Sequence, residues 1–272
     1  MGAVGNPLVR ATFEAAAEHF DDPAPRFLWD HGGRRTVELV GVRPGSRVLD
    51  LCCGTGASAL PAAVLAGPSG RVTAVDIATG ALSRGRAKAA RLGLRNVDFR
   101  VGDLEDPPGG PAAFDVLICA FGLYFARQPD VTLTKLWAAV APGGALAVTT
   151  LGPRALEPAH ALLLDAVAEQ RPDRDLRGRM LSWERFNTPA SLGEVFVAAG
   201  LPRHTVTVET LRQPVTDDDV WAVVLGSGYR VLLAGMGASE VGRLRAGLGR
   251  RLRAEGVHEL VWDVLYAVAR RN

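Results

Sequence analysis

The nine residues VLDLCCGTG, numbered 48–56, decide the fold of this chain. The first four are apolar apart from Asp50, as expected of a strand that is buried on both faces. Two glycines, Gly54 and Gly56, follow and permit a tight turn with positive φ angles. The alanine-rich residues 57–66 then have the composition of a helix. A strand, a glycine turn and a helix in this order predict a place where the backbone approaches a ligand closely.

The same alternation continues through residues 47–151. Strands are predicted at 47–52, 71–77, 97–103, 114–121 and 145–151. Between them, helices are predicted at 57–66, 79–92 and 130–141. Strands that are apolar throughout and separated by helices predict a doubly wound α/β fold, in which a parallel sheet carries helices on both faces.

Outside this core the pattern changes. Helical periodicity predicts helices at 7–20, 24–42, 158–169, 188–200, 216–234 and 238–254, with further strands at 204–211 and 257–269. The last strand is apolar on successive residues, so we expect it to be buried on both faces. Strand 204–211 alternates polar and apolar residues, as an edge strand does.

Composition restricts the classes of partner and compartment. The formal net charge is +2 and 48% of the residues are hydrophobic. We therefore expect no electrostatic attraction to nucleic acid or to a membrane surface. Three cysteines without a CxxC pair, and a first segment with early acids and no apolar core, predict a protein of the reducing cytoplasm. The five histidines lack metal-ligand spacing, so no metal site is predicted.

Three aspartates stand at the ends of predicted neighbouring strands: Asp50, Asp76 and Asp103. Ligands of doubly wound sheets bind beyond these strand ends. Asp50 could accept a hydrogen bond from a ligand's ammonium group and would repel a pyrophosphate. Asp103 is suited to bond an adenine amino group. The three together predict a site for a nucleoside that carries an amino acid.

A dinucleotide site is the alternative. The turn Gly54-x-Gly56-x-x-Ala59 also fits the fingerprint G-x-G-x-x-G/A, and Asp76 follows Gly56 by 20 residues, as a ribose-binding acid would. An oxidoreductase that binds NAD(P) or a flavin therefore stays open on the residues alone.

The chain resembles the class I S-adenosylmethionine-dependent methyltransferases, and most of all the branch of quinone-biosynthesis and small-molecule enzymes. VLDLCCGTG, VTAVDI, VGDLED, FDVLICAFGL and VAPGG are similar to successive motifs of that family. Cys52 stands where the family often has a glycine. The resemblance implies a seven-stranded Rossmann-like sheet of order 3-2-1-4-5-7-6 with strand 7 antiparallel. It also implies a single domain, 1–272, made of an N-terminal helical lid (1–43), a cofactor-binding core (44–152), a substrate cap inserted after strand 5 (153–187) and the C-terminal half of the sheet (188–272).

The cofactor implied by the resemblance is S-adenosyl-L-methionine, with S-adenosyl-L-homocysteine as its product. Its amino-acid end is expected at Asp50, Cys52, Gly54 and Gly56. The same likeness assigns the ribose to Asp76, the adenine to Ile77, Asp103 and Leu104, and the sulfonium side to Phe121.

The binding site of the methyl acceptor and the general base are predicted only from the positions of residues in the sequence. If the acceptor is a hydroxyl, His31 or Tyr124 could serve as general base. The parts that interrupt the strand–helix rhythm supply candidate lining residues for an apolar or aromatic small molecule: Trp29, Met180, Trp183, Phe186, Trp221 and Tyr229. The chain is thus predicted to methylate oxygen or carbon of a small molecule, in a bacterial secondary metabolism, as a monomer or a homodimer. A protein that binds the cofactor without transferring methyl groups, as a regulator or a cyclisation catalyst, is the third reading.

Overall fold

A computed structural model describes residues 6–172 and 182–272. Its helices are α1 (Pro7–Ala16), α2 (Pro23–Val40), α3 (Ala59–Ala66), α4 (Thr79–Arg91), α5 (Pro129–Ala139), α6 (Ala159–Gln170), α7 (Pro189–Ala198), α8 (Asp217–Leu225) and α9 (Ala238–Ala254). Its strands are β1 (Arg47–Leu51), β2 (Arg71–Asp76), β3 (Val97–Val101), β4 (Phe114–Ala120), β5 (Val140–Glu157), β6 (His204–Pro214) and β7 (Glu259–Arg270). Short 3-10 helices span Leu123–Phe125, Ser182–Phe186 and Gly228–Leu233.

The strands of the described residues form a seven-stranded sheet in the order β3-β2-β1-β4-β5-β7-β6. β1 to β5 pair in parallel, and β7 pairs antiparallel with both β5 and β6. The predicted order and the antiparallel β7 are confirmed. Hydrophobic clusters cover both faces of the sheet, which explains why the central strands are apolar on successive residues.

The largest differences from the predicted bounds occur at β5 and at the helix predicted at 216–234. β5 runs on to Glu157, because its register with β7 continues as far as Glu157 opposite Val261. The helix predicted at 216–234 ends at Leu225. A Cβ on Gly226 would lie 2.5 Å from the carbonyl oxygen of His19, so the chain bends where two backbones meet.

In the segment before the sheet, α2 packs along one face of the sheet and α1 lies beyond the carboxyl ends of the strands. α2 packs on β4, β5, β7 and α8, while α1 contacts α4 and the 3-10 helix Gly228–Leu233. A Cβ on Gly33 of α2 would meet the Ala57 carbonyl oxygen at 2.4 Å. Glycine at this position therefore lets α2 pack directly on the turn that follows β1.

Candidate active site

A cavity of about 740 Å³ opens beyond the carboxyl ends of the parallel strands. Two groups of residues share its lining. Those that follow β1, β2, β3 and β4 we call the strand-end half. A second group, which we call the aromatic half, comprises Trp29, Tyr124, Leu151, Tyr229, Val231 and Trp262. Residues of α1 complete the wall: Pro7, Leu8, Val9, Thr12 and Phe13. The position is the crevice in which doubly wound sheets bind ligands.

The glycine turn after β1 owes its shape to positive φ angles. Cys52, Gly54 and Gly56 have φ values of 58°, 53° and 96°. A Cβ on Gly54 would meet nothing within 4 Å, so this glycine leaves open space at the cavity wall. A Cβ on Gly56 would instead lie 2.9 Å from the Leu60 side chain. Gly54 and Cys52 line the cavity, whereas Gly56 faces the core and is outside the lining.

Asp76 fixes the turn and also lines the cavity. Its carboxylate accepts hydrogen bonds from the backbone N–H groups of Gly54 at 2.8 Å and Ala78 at 2.9 Å. Burial raises the pKa of Asp76, and these backbone bonds oppose that shift. Each oxygen retains a lone pair, so the carboxylate can also accept from a hydroxyl in the cavity.

Asp50 does not reach the cavity lining. Its side chain lies fully buried beneath the glycine turn, where Oδ2 accepts from the Ser58 hydroxyl at 2.7 Å. Oδ1 has no hydrogen-bond partner among the described residues. Burial raises the pKa of Asp50 to about 7, and the charge of Asp76 adds to the shift. The structure therefore does not bring this carboxylate to the cavity, where contact with a ligand ammonium group was predicted.

The residues after β2 and β3 do meet at the cavity. Ile77, Asp103 and Leu104 line it beside Asp76. Asp103 Oδ1 accepts from the Glu105 backbone at 2.9 Å, which orients the carboxylate in its turn.

Phe121 stands at the junction of the two halves. It adopts a φ of 56°, and its ring packs edge-on against Trp29 with 5.1 Å between centroids. A Cβ on Gly32 would lie 2.5 Å from the Phe121 ring, so α2 must present glycine there. Trp29 in turn donates from Nε1 to the carbonyl oxygen of Gly226 at 3.2 Å.

Two carboxylates attach the α1 segment over the cavity. Glu14 accepts from the Thr79 hydroxyl and the Gly80 backbone, both at 2.9 Å, at the start of α4. Asp21 accepts from Thr55 of the glycine turn and from Lys88 of α4. We call residues 7–22 with these contacts the lid.

The two predicted bases have different positions. His31 does not line the cavity; its Nε2 lies 3.2 Å from the carboxylate of Glu209, on the opposite side of α2. Tyr124 does line it. Burial raises the pKa of the Tyr124 phenol well above its usual range, so this group is neutral near pH 7 and has no proton-accepting charge.

Of the predicted acceptor-site residues, Trp29 and Tyr229 line the cavity. Phe186 and Trp221 are buried in the hydrophobic core and lie outside the lining. Met180 lies outside the described residues, as does the side chain of Trp183. The sequence interpretation missed Trp262, because its approach to the cavity depends on tertiary packing, and it predicted the lid as a segment without naming the residues that line the cavity.

No cluster of His, Cys, Asp and Glu suited to a metal ion occurs in residues 6–172 and 182–272. Over the same ranges no helix combines the length and the hydropathy that a membrane span requires.

Comparison with known proteins relates this geometry to a family. Residues 48–144 match the model of a methyltransferase domain. The chain is 40% identical over 122 residues to the ubiquinone/menaquinone biosynthesis C-methyltransferase UbiE of Ectopseudomonas mendocina, which covers 44% of this chain and 46% of that protein. It is 31% identical over 179 residues to the nocamycin O-methyltransferase of Saccharothrix syringae, covering 61% and 63%.

A solved SAM-dependent methyltransferase from Aquifex aeolicus shares the fold, with a TM-score of 0.53 at 17% identity over 94% of this chain and 98% of that one. The chain thus spans about half to two thirds of the length of the curated relatives. The matched region contains the glycine turn, Asp76, Asp103 and Phe121. Over residues 48–144 the chain is therefore similar to a methyltransferase domain, and it shares its fold with the solved SAM-dependent methyltransferase.

Proposed function

We propose that this chain transfers the methyl group of S-adenosylmethionine to a small, largely apolar organic acceptor. The observation that carries the proposal is one continuous cavity with two chemically different halves. The strand-end half offers carboxylates and an open glycine turn, and the aromatic half offers rings and aliphatic side chains. A volume of about 740 Å³ is within the range of small-molecule sites.

The strand-end half fits the cofactor. Asp76 and Asp103 are acceptors for hydroxyl and amino groups, Ile77 and Leu104 give apolar contacts for a flat ring, and Gly54 leaves room at the wall. When bound, S-adenosylmethionine supplies a methyl group on a positively charged sulfur. The protein's task is then to align the acceptor and to exclude water.

The lid suits that second task. Phe13 and Phe20 lie over the cavity, and Trp29 contacts Phe20 edge-on at 6.4 Å. These rings line the cavity on the α1 side. The lid carboxylates, Glu14 and Asp21, contact Thr79 and Lys88 of α4.

The acceptor class follows from the aromatic half. Its walls match a flat aromatic or polyketide-like skeleton, and the names of the UbiE and nocamycin relatives support a carbon or an oxygen as the methylated atom. The nocamycin relative also supports an acceptor of secondary metabolism. In both chemistries a phenol or enol must lose its proton, because the neutral hydroxyl is a weak nucleophile.

Calorimetry with S-adenosylhomocysteine tests the cofactor assignment. We expect binding, and Asp76→Ala should weaken it more than Asp103→Ala. Loss of a charged acceptor costs about 1.5–3 kcal/mol, or roughly 10- to 100-fold in Kd. Because Asp76 also fixes the turn, thermal unfolding of each variant must show a folded protein. Arg26→Gln, in an exposed ion pair with Asp30, is the control.

Two outcomes would count against the proposal. Binding of NADH in place of S-adenosylhomocysteine would favour the dinucleotide alternative. Binding of S-adenosylhomocysteine without methyl transfer to any acceptor in a broad panel of phenols, enols and polyketides would favour a cofactor-binding protein of another activity.

A further inference from the structure

The aromatic half contains a hydrogen-bonded pair of titratable groups. The Tyr229 hydroxyl lies 2.7 Å from Nδ1 of His160, and the two rings meet edge-on with 5.7 Å between centroids. Tyr229 belongs to the 3-10 helix Gly228–Leu233 and lines the cavity, whereas His160 is in the first turn of α6, behind it. The Ser227 hydroxyl accepts from the Tyr229 backbone at 3.2 Å and holds this turn.

The other hydroxyls of the cavity have different partners. Ser58 donates to Asp50 and Thr55 to Asp21, and both lie at the glycine turn in the strand-end half. Tyr124 makes no hydrogen bond to another described residue. In the aromatic half, Tyr229 is therefore the hydroxyl seen to contact a group that can take up a proton near neutral pH.

We propose that Tyr229 is the catalytic residue that takes the proton of the methyl acceptor and that His160, acting through it, is the residue that holds this proton. The inference rests on the proposed function and names its acceptor class: a phenol or an enol on a largely apolar skeleton. Neither residue was singled out as a base by its place in the sequence.

The proton balance is complete without a further reactant. The O–H bond of the acceptor breaks and its proton passes to the Tyr229 oxygen, as the proton of Tyr229 passes to Nδ1 of His160. The products are an acceptor oxyanion, a neutral tyrosine and an imidazolium. The sulfur–methyl bond then breaks as a bond to the acceptor oxygen or its conjugated carbon forms, and S-adenosylhomocysteine is released; a methylated carbon afterwards loses its hydrogen as a proton to restore conjugation. His160 is only half-buried, so it can return the proton to water.

Charge around the pair favours this direction of transfer. Burial raises the pKa of the Tyr229 phenol well above its usual range, and the carboxylates of Glu157 and Glu184 raise it further, with a smaller contribution from Tyr124. A stable tyrosinate is thereby disfavoured. Tyr229 therefore stays neutral, and the transferred proton resides on the imidazole of His160.

Steady-state kinetics with a methylated phenol or enol from the panel test both residues. Tyr229→Phe removes the hydroxyl and keeps the ring, and His160→Asn keeps an acceptor near Nδ1 without the ability to hold a proton. Each should lower kcat roughly 100-fold, as expected for loss of general-base catalysis, with little change in KM. The double variant should be hardly slower than either single variant, because the two act as one unit.

The pH profile separates proton transfer from a structural role. In the unaltered protein kcat should fall at low pH, where His160 is protonated, since an imidazolium cannot accept the proton. His160→Asn should lose this limb. His258→Asn, at an exposed histidine outside the cavity lining, is the matched control and should keep it. A retained limb in His160→Asn, or kcat within about 3-fold in both variants, would overturn the proposal.

A second measurement does not depend on turnover. The fluorescence of 7-hydroxycoumarin distinguishes phenol from phenolate when it is bound to the S-adenosylhomocysteine complex. We expect phenolate to appear at a lower pH than in Tyr229→Phe. Binding with identical ionisation in both proteins, or no binding to a complex that holds S-adenosylhomocysteine, would overturn the proton relay. Failure to bind S-adenosylhomocysteine at all would instead overturn the proposed function.

Discussion

Replacing Asp50 by asparagine should make the protein more stable at neutral pH, although it alters a residue of the glycine-turn motif. Asp50 is fully buried in β1, with one oxygen on the Ser58 hydroxyl and the other without a hydrogen-bond partner in the described part of the chain. Asparagine has nearly the same shape and can keep its oxygen on Ser58. It removes the charge that burial disfavours.

The size of the effect follows from the pKa. Burial raises the pKa of Asp50 from 3.8 to about 7. At 1.36 kcal/mol for each pKa unit, ionising this carboxyl in the folded protein costs about 4 kcal/mol. Between pH 4 and 7 the folded state binds more protons than the unfolded state, so the free energy of unfolding falls as the pH rises through this window. The cost is absent below the window and complete above it.

Urea unfolding of the ligand-free protein at several pH values from 5 to 8 measures this difference. The stability of Asp50→Asn relative to the unaltered protein should rise with pH through about 7, where half of the carboxyl groups are ionised, and begin to level off at the upper end of this range. Ser58→Ala should instead make the protein less stable at neutral pH, because it removes the hydrogen bond that lowers the pKa of Asp50. A stability difference between Asp50→Asn and the unaltered protein that stays constant over this range would refute the reasoning.

Two further predictions concern the lid and the last strand. Asp21→Asn removes a partly buried ion pair with Lys88 that is worth about 1 kcal/mol. The dissociation rate of S-adenosylhomocysteine, measured by stopped flow, should therefore rise about 5-fold. An unchanged rate would show that the lid does not retain the ligand. A fragment of residues 1–256 lacks β7, exposes the edge of β5 and leaves β6 unpaired. Circular dichroism should find it unfolded, and a soluble fragment that binds S-adenosylhomocysteine would show that β7 is peripheral.

The core of the fold could be predicted from the sequence because its signals are local. The central strands β1, β2 and β4 are largely apolar, and helices separate β1 from β2, β2 from β3 and β4 from β5. The place of β7 between β5 and β6 could not be obtained in this way. It depends on pairing between residues that are far apart in the chain, and it was predicted through the family resemblance.

The predicted site residues that lie outside the cavity lining share a geometric cause. Side chains alternate along a strand, and Leu49 and Leu51 pack on the face opposite to Val48, so Asp50 lies on the same covered face as Val48. On α2, His31 lies two residues after Trp29 and two before Gly33. Residues two apart do not share a helix face, which is why Trp29 and Gly33 line the cavity and His31 does not.

The pair formed by Tyr229 and His160 had no signal in the sequence. The two residues are 69 positions apart, in different elements, and neither belongs to a motif. A local pattern cannot reveal such a contact, since the path of the chain between α6 and the 3-10 helix Gly228–Leu233 determines it.

Backbone strain marks the same place as the motifs. Cys52 and Phe121 directly follow the neighbouring strands β1 and β4, and both have positive φ angles that side chains other than glycine rarely adopt. Such conformations cost about 1–3 kcal/mol each and persist only where the surrounding structure enforces them. Here the enforcement is mutual, because a Cβ on Gly122 would lie 2.5 Å from the Cys52 sulfur. The two turns thus hold each other at the edge of the sheet, and packing alone sets the wall of the cavity before any ligand enters.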